Sequence, residues 1–275
     1  MRFLTILVRV VVIVCIGAYV GVIGWLYVNQ RDLVFRPDPE AHDAASLGLR
    51  GFRDIEIRTE DGETLRALFR PADPGRVTIL YLHGNAARLP RAADRMRLLT
   101  EDGAGLLFVN YRGFSGSTGA PSEDGLAEDA RSAYDWVALR ARGKIALYGE
   151  SLGTGVAVRL ATTREVDALI LDAPFTSTVA VGSRIHWYAP VAMLMKDRFD
   201  SLGLIAQIHI PLLVLHGDAD RVVPFDLGEK LFVAANEPKT FIRVAGGSHS
   251  RNLESRTAEV RQFLRDLETQ RNAEP

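Results

Sequence analysis

Five short and almost unbroken apolar runs constrain this chain more than any other feature: Val77 to Leu82, Gly105 to Val109, Ile145 to Tyr148, Ala168 to Leu171 and Leu212 to Leu215. A strand needs apolar side chains at every position only when both faces of its sheet are covered, and helices on both sides of a parallel sheet produce that situation. The intervening stretches carry helical spacing. Leu126, Ala130, Ala133, Tyr134 and Val137 recur on one face behind the helix-starting Ser122-Glu123-Asp124, and Val260, Phe263, Leu264 and Leu267 form a stripe near the C-terminus. Alternation of this kind predicts a doubly wound, mostly parallel α/β sheet.

Two features depart from that rhythm. Phe52 to Ile57 and Thr64 to Phe69 alternate apolar with polar residues across Asp61-Gly62, which predicts an antiparallel hairpin at a sheet edge. The interval from Thr176 to Ile208 holds no strand pattern. It carries Trp187, Tyr188, Met193, Leu194 and Met195, and reads as a short helical lid over the sheet.

The N-terminus has a different physical character. Val10 to Val28 is free of charge. A helix of about 19 residues rises roughly 28 Å, close to the ~30 Å hydrocarbon core of a bilayer. Trp25 and Tyr27 stand where the chain would leave the membrane. The run is longer than a signal-peptide core and no small-x-small cleavage site follows it, so residues 1–29 are expected to stay as an anchor. Arg2, Arg9 and the terminal amine precede the span, against Arg31 and Arg36 after it, which orients the N-terminus to the cytoplasm and the rest outside. A C-terminal reporter fusion active only in the cytoplasm would overturn that orientation. Residues 30–50, with Pro37 and Pro39, read as a linker, and 51–275 as the folded domain with the lid at about 176–208.

Composition removes several function classes. With 33 basic against 34 acidic residues and no basic stripe, nucleic acid is not an expected partner. Six histidines and a single cysteine, Cys15 inside the apolar N-terminus, leave no Cys/His metal framework. The chain is expected to act as a monomer.

The chemistry is concentrated around Lys144 to Gly153, where a buried strand ends in Gly149-x-Ser151-x-Gly153 and a helix-like Thr154 to Thr163 follows. A serine on a tight strand-to-helix turn needs glycines two positions to either side, and its Oγ lies beside amides that favour negative charge. A serine hydroxyl is a weak nucleophile at neutral pH and needs a base, which in turn needs an acid to orient it. His249 lies in the Gly246-Gly247-Ser248-His249 loop after the last strand, Thr240 to Val244, and is the expected base. Asp220, in the loop after Leu212 to Leu215, is favoured as the acid over Asp218, which follows Gly217 at once and suits a turn-shaping role. Asp172 is an alternative acid at another strand end. The oxyanion would be held by the backbone amide of Leu152 and by that of Asn85, or its neighbour Ala86, in the His83-Gly84-Asn85-Ala86 loop. His83 is then structural. Asn110 to Gly119 is glycine-rich but lacks the lysine and spacing of a P-loop, and reads as a structured loop.

Tyr81–Ala86, Asn110–Glu123, Tyr148–Gly155, Asp172–Ser177, Asp197–Ser201, His216–Asp220 and Gly246–Ser250 together resemble the single-pass membrane α/β-hydrolase-domain proteins, a group that includes depalmitoylases and lysophospholipid lipases. The resemblance runs from about Phe52 to the C-terminus and implies an α/β-hydrolase fold with the triad Ser151, Asp220 and His249. Ala87-Arg88 departs from the small Gly-Asn-like step expected there. The leading functional reading is an esterase, thioesterase or lipase working through an acyl-enzyme, without metal or organic cofactor. Its substrate would be a small-molecule ester or an acylated lipid met at the bilayer, with Trp187, Tyr188 and Met193 as lid residues. A serine peptidase is the weaker alternative, and a membrane-tethered binding scaffold without catalysis is the non-enzyme one.

Overall fold

The apolar runs become strands of one sheet in the computed structural model, which describes residues 2–38, 40–85, 89–249 and 252–269. The strands are β1 (Arg53–Arg58), β2 (Thr64–Arg70), β3 (Thr78–Leu82), β4 (Gly105–Val109), β5 (Ile145–Glu150), β6 (Ala168–Asp172), β7 (Leu212–Gly217) and β8 (Lys239–Val244). Their spatial order is β1-β2-β4-β3-β5-β6-β7-β8. The hairpin β1–β2 is antiparallel and sits at the edge, as its alternation predicts, and from β4 to β8 every pairing is parallel.

Why those runs are continuous is visible in how they divide. Leu80, Leu82, Leu107, Val109, Leu147, Leu169 and Val214 enter one core, while Ile79, Tyr81, Leu106, Phe108, Tyr148, Ile170 and Leu213 enter the other. Successive side chains point to opposite faces, so each face takes alternate residues and both must be apolar. Helices α3 (Glu123–Ala138), α4 (Leu152–Ala161) and α8 (Phe225–Ala234) cover the first face through residues such as Leu126, Val156 and Leu231. On the second face lie α2 (Leu89–Thr100) and α10 (Thr257–Thr269), with α9 (Asn252–Ser255), through Met96, Val260, Leu264 and Leu253. Fully burying one such leucine contributes roughly 1.5–3 kcal/mol relative to leaving it in water. Ser122 caps α3 by accepting from the Gly125 amide at 3.1 Å.

The segment between β6 and β7 contains α5 (Thr178–Ile185), α6 (Val191–Leu194) and α7 (Ser201–Ile205) and no strand, in line with a helical lid. The Asn110 to Gly119 loop is a tie between elements. Arg112 bonds Asp129 on α3 at 2.9 Å and Asp61 in the β1–β2 turn at 2.7 Å, and Asp129 also accepts from the Arg112 amide at 2.7 Å. Burial raises the Asp129 carboxyl to about 6 against the lowering effect of Arg112.

Helix α1 (Arg2–Val34) is long and apolar enough to cross a membrane, and it continues five residues past the segment read as the anchor. The following stretch, read as a linker, also folds onto the domain: Phe35 joins the first core, and Ala44, Leu47 and Leu49 join the second. The prolines and charges around residues 36–43 mask these apolar residues in the sequence, and the aromatic partner of Phe35, Phe199, lies far along the chain.

Candidate active site

All of the expected reactive residues come to the C-terminal edge of the sheet, where open α/β sheets place their ligands. Ser151 follows β5 directly, Asn85 lies just beyond β3, Asp220 beyond β7 and His249 beyond β8. Ser151 has φ 51°, in the left-handed region, a conformation that costs of order 1–3 kcal/mol and persists only where the surroundings enforce it. Here they do. The Ser151 amide donates to the Asp172 carbonyl at 2.8 Å, and the Ser151 carbonyl accepts from the amide and hydroxyl of Thr154 at 2.9 and 2.6 Å. A Cβ on Gly153 would collide with the Leu82 carbonyl, and one on Gly149 would lie 2.7 Å from the Gly153 carbonyl. The glycine spacing is therefore a requirement of backbone contact. Ser151 stands at the N-cap of α4 but makes no side-chain cap bond, so its Oγ faces a different partner.

That partner is His249, whose Nε2 lies 3.0 Å from Ser151 Oγ. On the other side of the ring, Nδ1 lies 2.7 Å from Asp220 Oδ2. A carboxylate can only accept, so the proton sits on Nδ1 and Nε2 is left as the acceptor for the serine hydroxyl. Asp220 is itself held: Oδ1 accepts from the Val222 and Val223 amides at 2.7 and 2.9 Å, and Oδ2 lies 3.5 Å from His216 Nε2. Burial alone would raise its carboxyl. The bonds from His216 and His249 outweigh that and hold it well below the usual carboxylate range. Asp220 is thus an anion at neutral pH.

The other candidates occupy different places. Asp218 Oδ1 accepts from the Gly246 amide at 2.7 Å and Oδ2 from Arg243 at 3.0 Å, so it fastens the β7 loop to the β8 loop. Asp172 is buried between Tyr148 and Asn252, with bonds of 2.8 Å to each. His83 packs on Phe108, Tyr111 and Phe114, bonds the Gly84 carbonyl at 2.7 Å, and is lowered to about 4 by burial. Leu152 opens α4 immediately after Ser151, and a Cβ at Gly84 would lie 3.2 Å from that of Ser151, which sets the Asn85 loop against the elbow. Ala86, Ala87 and Arg88 lie outside the described residues.

Beneath the elbow sits a network that the motif does not announce. Glu150 is ion-paired with the buried Arg95 of α2 and accepts from Tyr81 at 2.6 Å, while Arg95 also reaches Glu254 at 3.2 Å. Burial would raise the Glu150 carboxyl, but Arg95 and Tyr81 draw it below its ordinary value. Long-range charge pairs of this type leave no local pattern.

Ser151 opens into a cavity of about 510 Å³ whose surface is mostly apolar. The lid residues expected from sequence do not line it: Trp187 and Met193 are 82% and 85% exposed, and the Tyr188 carbonyl instead accepts from Tyr19 of α1 at 2.9 Å. Val181, Ile185, Leu194 and Met195 form the lid side of the wall. Size and aromaticity single out Trp187 and Tyr188 in the sequence, but both lie in the turn between α5 and α6, whereas Val181 and Ile185 of α5 and Leu194 of α6 face the cavity.

Known proteins resemble this chain on both levels. A family model described as serine aminopeptidase S33 matches residues 73–204. An uncharacterized protein of Mycobacterium tuberculosis is 38% identical over 249 residues, covering 88% of this chain and 89% of that one. The lysophosphatidylserine lipase ABHD12 of Danio rerio is 34% identical over 209 residues, covering 67% of this chain and 53% of that protein. Among solved structures, the Pyrococcus furiosus esterase Pf2001 superposes with a TM-score of 0.70 at 19% identity, covering 84% of this chain and 98% of the esterase.

Proposed function

The chain belongs to the α/β-hydrolase family, and we propose that it is a membrane-anchored serine hydrolase that cleaves carboxylic ester or thioester bonds of acylated substrates. The observation that carries the reading is the hydrogen-bonded chain from Ser151 Oγ through His249 to Asp220, at 3.0 and 2.7 Å. His249 Nε2 takes the hydroxyl proton as Ser151 Oγ attacks the acyl carbon, and Asp220 stabilises the imidazolium that forms. The tetrahedral oxyanion is held by the amides of Leu152 and Asn85, where losing one donor costs about 10²–10³ in rate. Collapse breaks the bond to the leaving alcohol or thiol, which takes the proton from His249. Water, deprotonated by the same nitrogen, then attacks the acyl-enzyme, and its collapse releases the acid and returns the proton to Ser151.

The mainly apolar cavity and helix α1 support an acyl-chain substrate met at a membrane. The catalytic domain is placed outside the cytoplasm in this reading only by the excess of positive charge at Arg2, Arg9 and the terminal amine ahead of the span. The lipase named among the relatives and the esterase among the solved structures agree with that choice of bond. A panel of p-nitrophenyl esters, acyl-thioesters and lysophospholipids of graded chain length tests the reading with purified full-length protein. The expected result is turnover of long-chain esters or thioesters that disappears in Ser151→Ala. Turnover near the wild-type rate in that variant would assign the chemistry to another nucleophile.

A further inference from the structure

Helix α1 does more than reach the membrane. Along its C-terminal half, Ile23, Leu26, Gln30, Leu33 and Val34 are half-buried while most of their neighbours are exposed, and all five line the cavity that opens at Ser151. Their spacing of three and four residues puts them on one helical face. That face is fastened to the lid by directional bonds. Besides Tyr19 to the Tyr188 carbonyl, Gln30 donates to the Leu194 carbonyl at 3.3 Å and accepts from the Lys196 amide at 2.7 Å. Arg31 pairs at 3.0 Å with Asp197, which is 4% exposed and also accepts from the Glu123 amide at 2.8 Å. At the end of the helix, Phe35 packs edge-on against Phe199, and the Arg36 amide donates to the Asn85 side chain at 2.6 Å.

We propose that the anchor helix is one wall of the acyl-binding pocket and sets the chain length the enzyme accepts. The inference rests on the serine hydrolase reading of the same site. Arg36 touches the loop beside Ser151, and Ile23 lies thirteen residues back along the helix, about 20 Å away by the helical rise. The wall therefore runs from the reacting carbonyl toward the membrane, and Ile23 and Leu26 mark its distal end. Tyr19, bonded to the lid, lies inside the charge-free stretch Val10 to Val28. The lid segment that Tyr19 bonds exposes Trp187, next to Tyr188, and Met193. An apolar lid edge alongside the apolar part of a membrane helix sits at the level of lipid acyl chains. A membrane lipid can then pass its chain sideways into the cavity without crossing water, and its carbonyl stops at Ser151.

The test uses full-length protein in detergent micelles and reads kcat/KM for p-nitrophenyl palmitate relative to p-nitrophenyl acetate. Ile23→Trp and Leu26→Trp shorten the distal end, and each is expected to lower that ratio by about tenfold or more, mainly through KM of the long ester. Val11→Trp adds the same bulk to the same helix outside the wall and is expected to keep the wild-type ratio. Fluorophosphonate labelling of Ser151 in each variant reports that the site is folded and reactive. If both wall variants label normally and keep the wild-type ratio, the wall assignment is overturned while the hydrolase reading stands. If Val11→Trp lowers the ratio as much as they do, the effect belongs to membrane insertion and the wall assignment fails. If the wild type neither labels nor hydrolyses either ester, the hydrolase reading fails first and this inference with it.

Discussion

The two sides of the cavity are built on opposite principles. On the sheet side, Ser151, His249 and Asp220 are fixed by backbone strain and by hydrogen bonds to amides, with hardly a polar atom of Asp220 left free to reorient. The opposite side is made by apolar residues of α1 and the lid, joined across about 165 residues of sequence by a few bonds such as Arg31 to Asp197. The first side brings a nucleophile and a base to hydrogen-bond distance; the second is an apolar surface, which under the proposed function receives a hydrocarbon chain. Chemistry demands the former precision because a misplaced base loses the reaction, whereas an acyl chain can be bound by any surface of the right length.

Breaking the sheet side should give the largest effects. Ser151→Ala is expected to lower kcat by about 10⁶, leaving only what binding and the oxyanion donors supply. A single-turnover assay with unchanged thermal melting would separate that loss from unfolding. Asp220→Asn keeps the volume but can donate to Nδ1, which favours the wrong histidine tautomer, and should cost about 10⁴ in kcat. Near-normal turnover in that variant would mean that His249 is oriented by something other than Asp220.

A smaller effect comes from His83, in the loop after β3 that carries Asn85. Its folded value, lowered to about 4, lies below the ordinary 6.5, so the unfolded chain takes up a proton that the folded chain refuses. The stability it contributes is complete above pH 6.5 and is lost as pH falls toward 4, by about 3 kcal/mol in all. Denaturant melts at pH 7.5 and 4.5 should show that fall, and His83→Phe should flatten part of it. An identical acid slope in the variant would place the titration elsewhere.

On the lid side, Arg31→Ala removes one half-exposed partner of Asp197 and should cost about 1 kcal/mol or less. Its sharper signature is a several-fold drop in long-chain relative to short-chain hydrolysis, because the wall is loosened rather than lost. Equal loss on both substrates would mean that the Arg31–Asp197 pair supports the whole site.

This contrast also explains what the sequence discloses. Strands such as Gly105–Val109 are legible because burial on both faces forces every residue to be apolar, and the elbow is legible because glycine is required at Gly149 and Gly153 by backbone contact. Asp220 and His249 announce themselves by lying in loops after late strands. Helices α2 and α8 leave weaker marks, and Phe35, Ala44, Leu47 and Leu49 are hidden among prolines and charges although they enter the cores. The pocket wall is the least legible part. Ile23 and Leu26 have the composition of any membrane helix, and nothing local says that their partner is a lid some 160 residues away. Trp187 and Met193 stand out by size, yet the cavity is lined by Ile185 and Met195 instead.

The most direct measurement is mass mapping of the adduct formed when full-length protein reacts with a fluorophosphonate probe. A strained serine bonded to an oriented histidine should give one adduct, on the peptide containing Ser151, and Ser151→Ala should abolish it. No adduct under conditions that label a control serine hydrolase, or an adduct on a different serine, would contradict the assignment of Ser151 as the nucleophile.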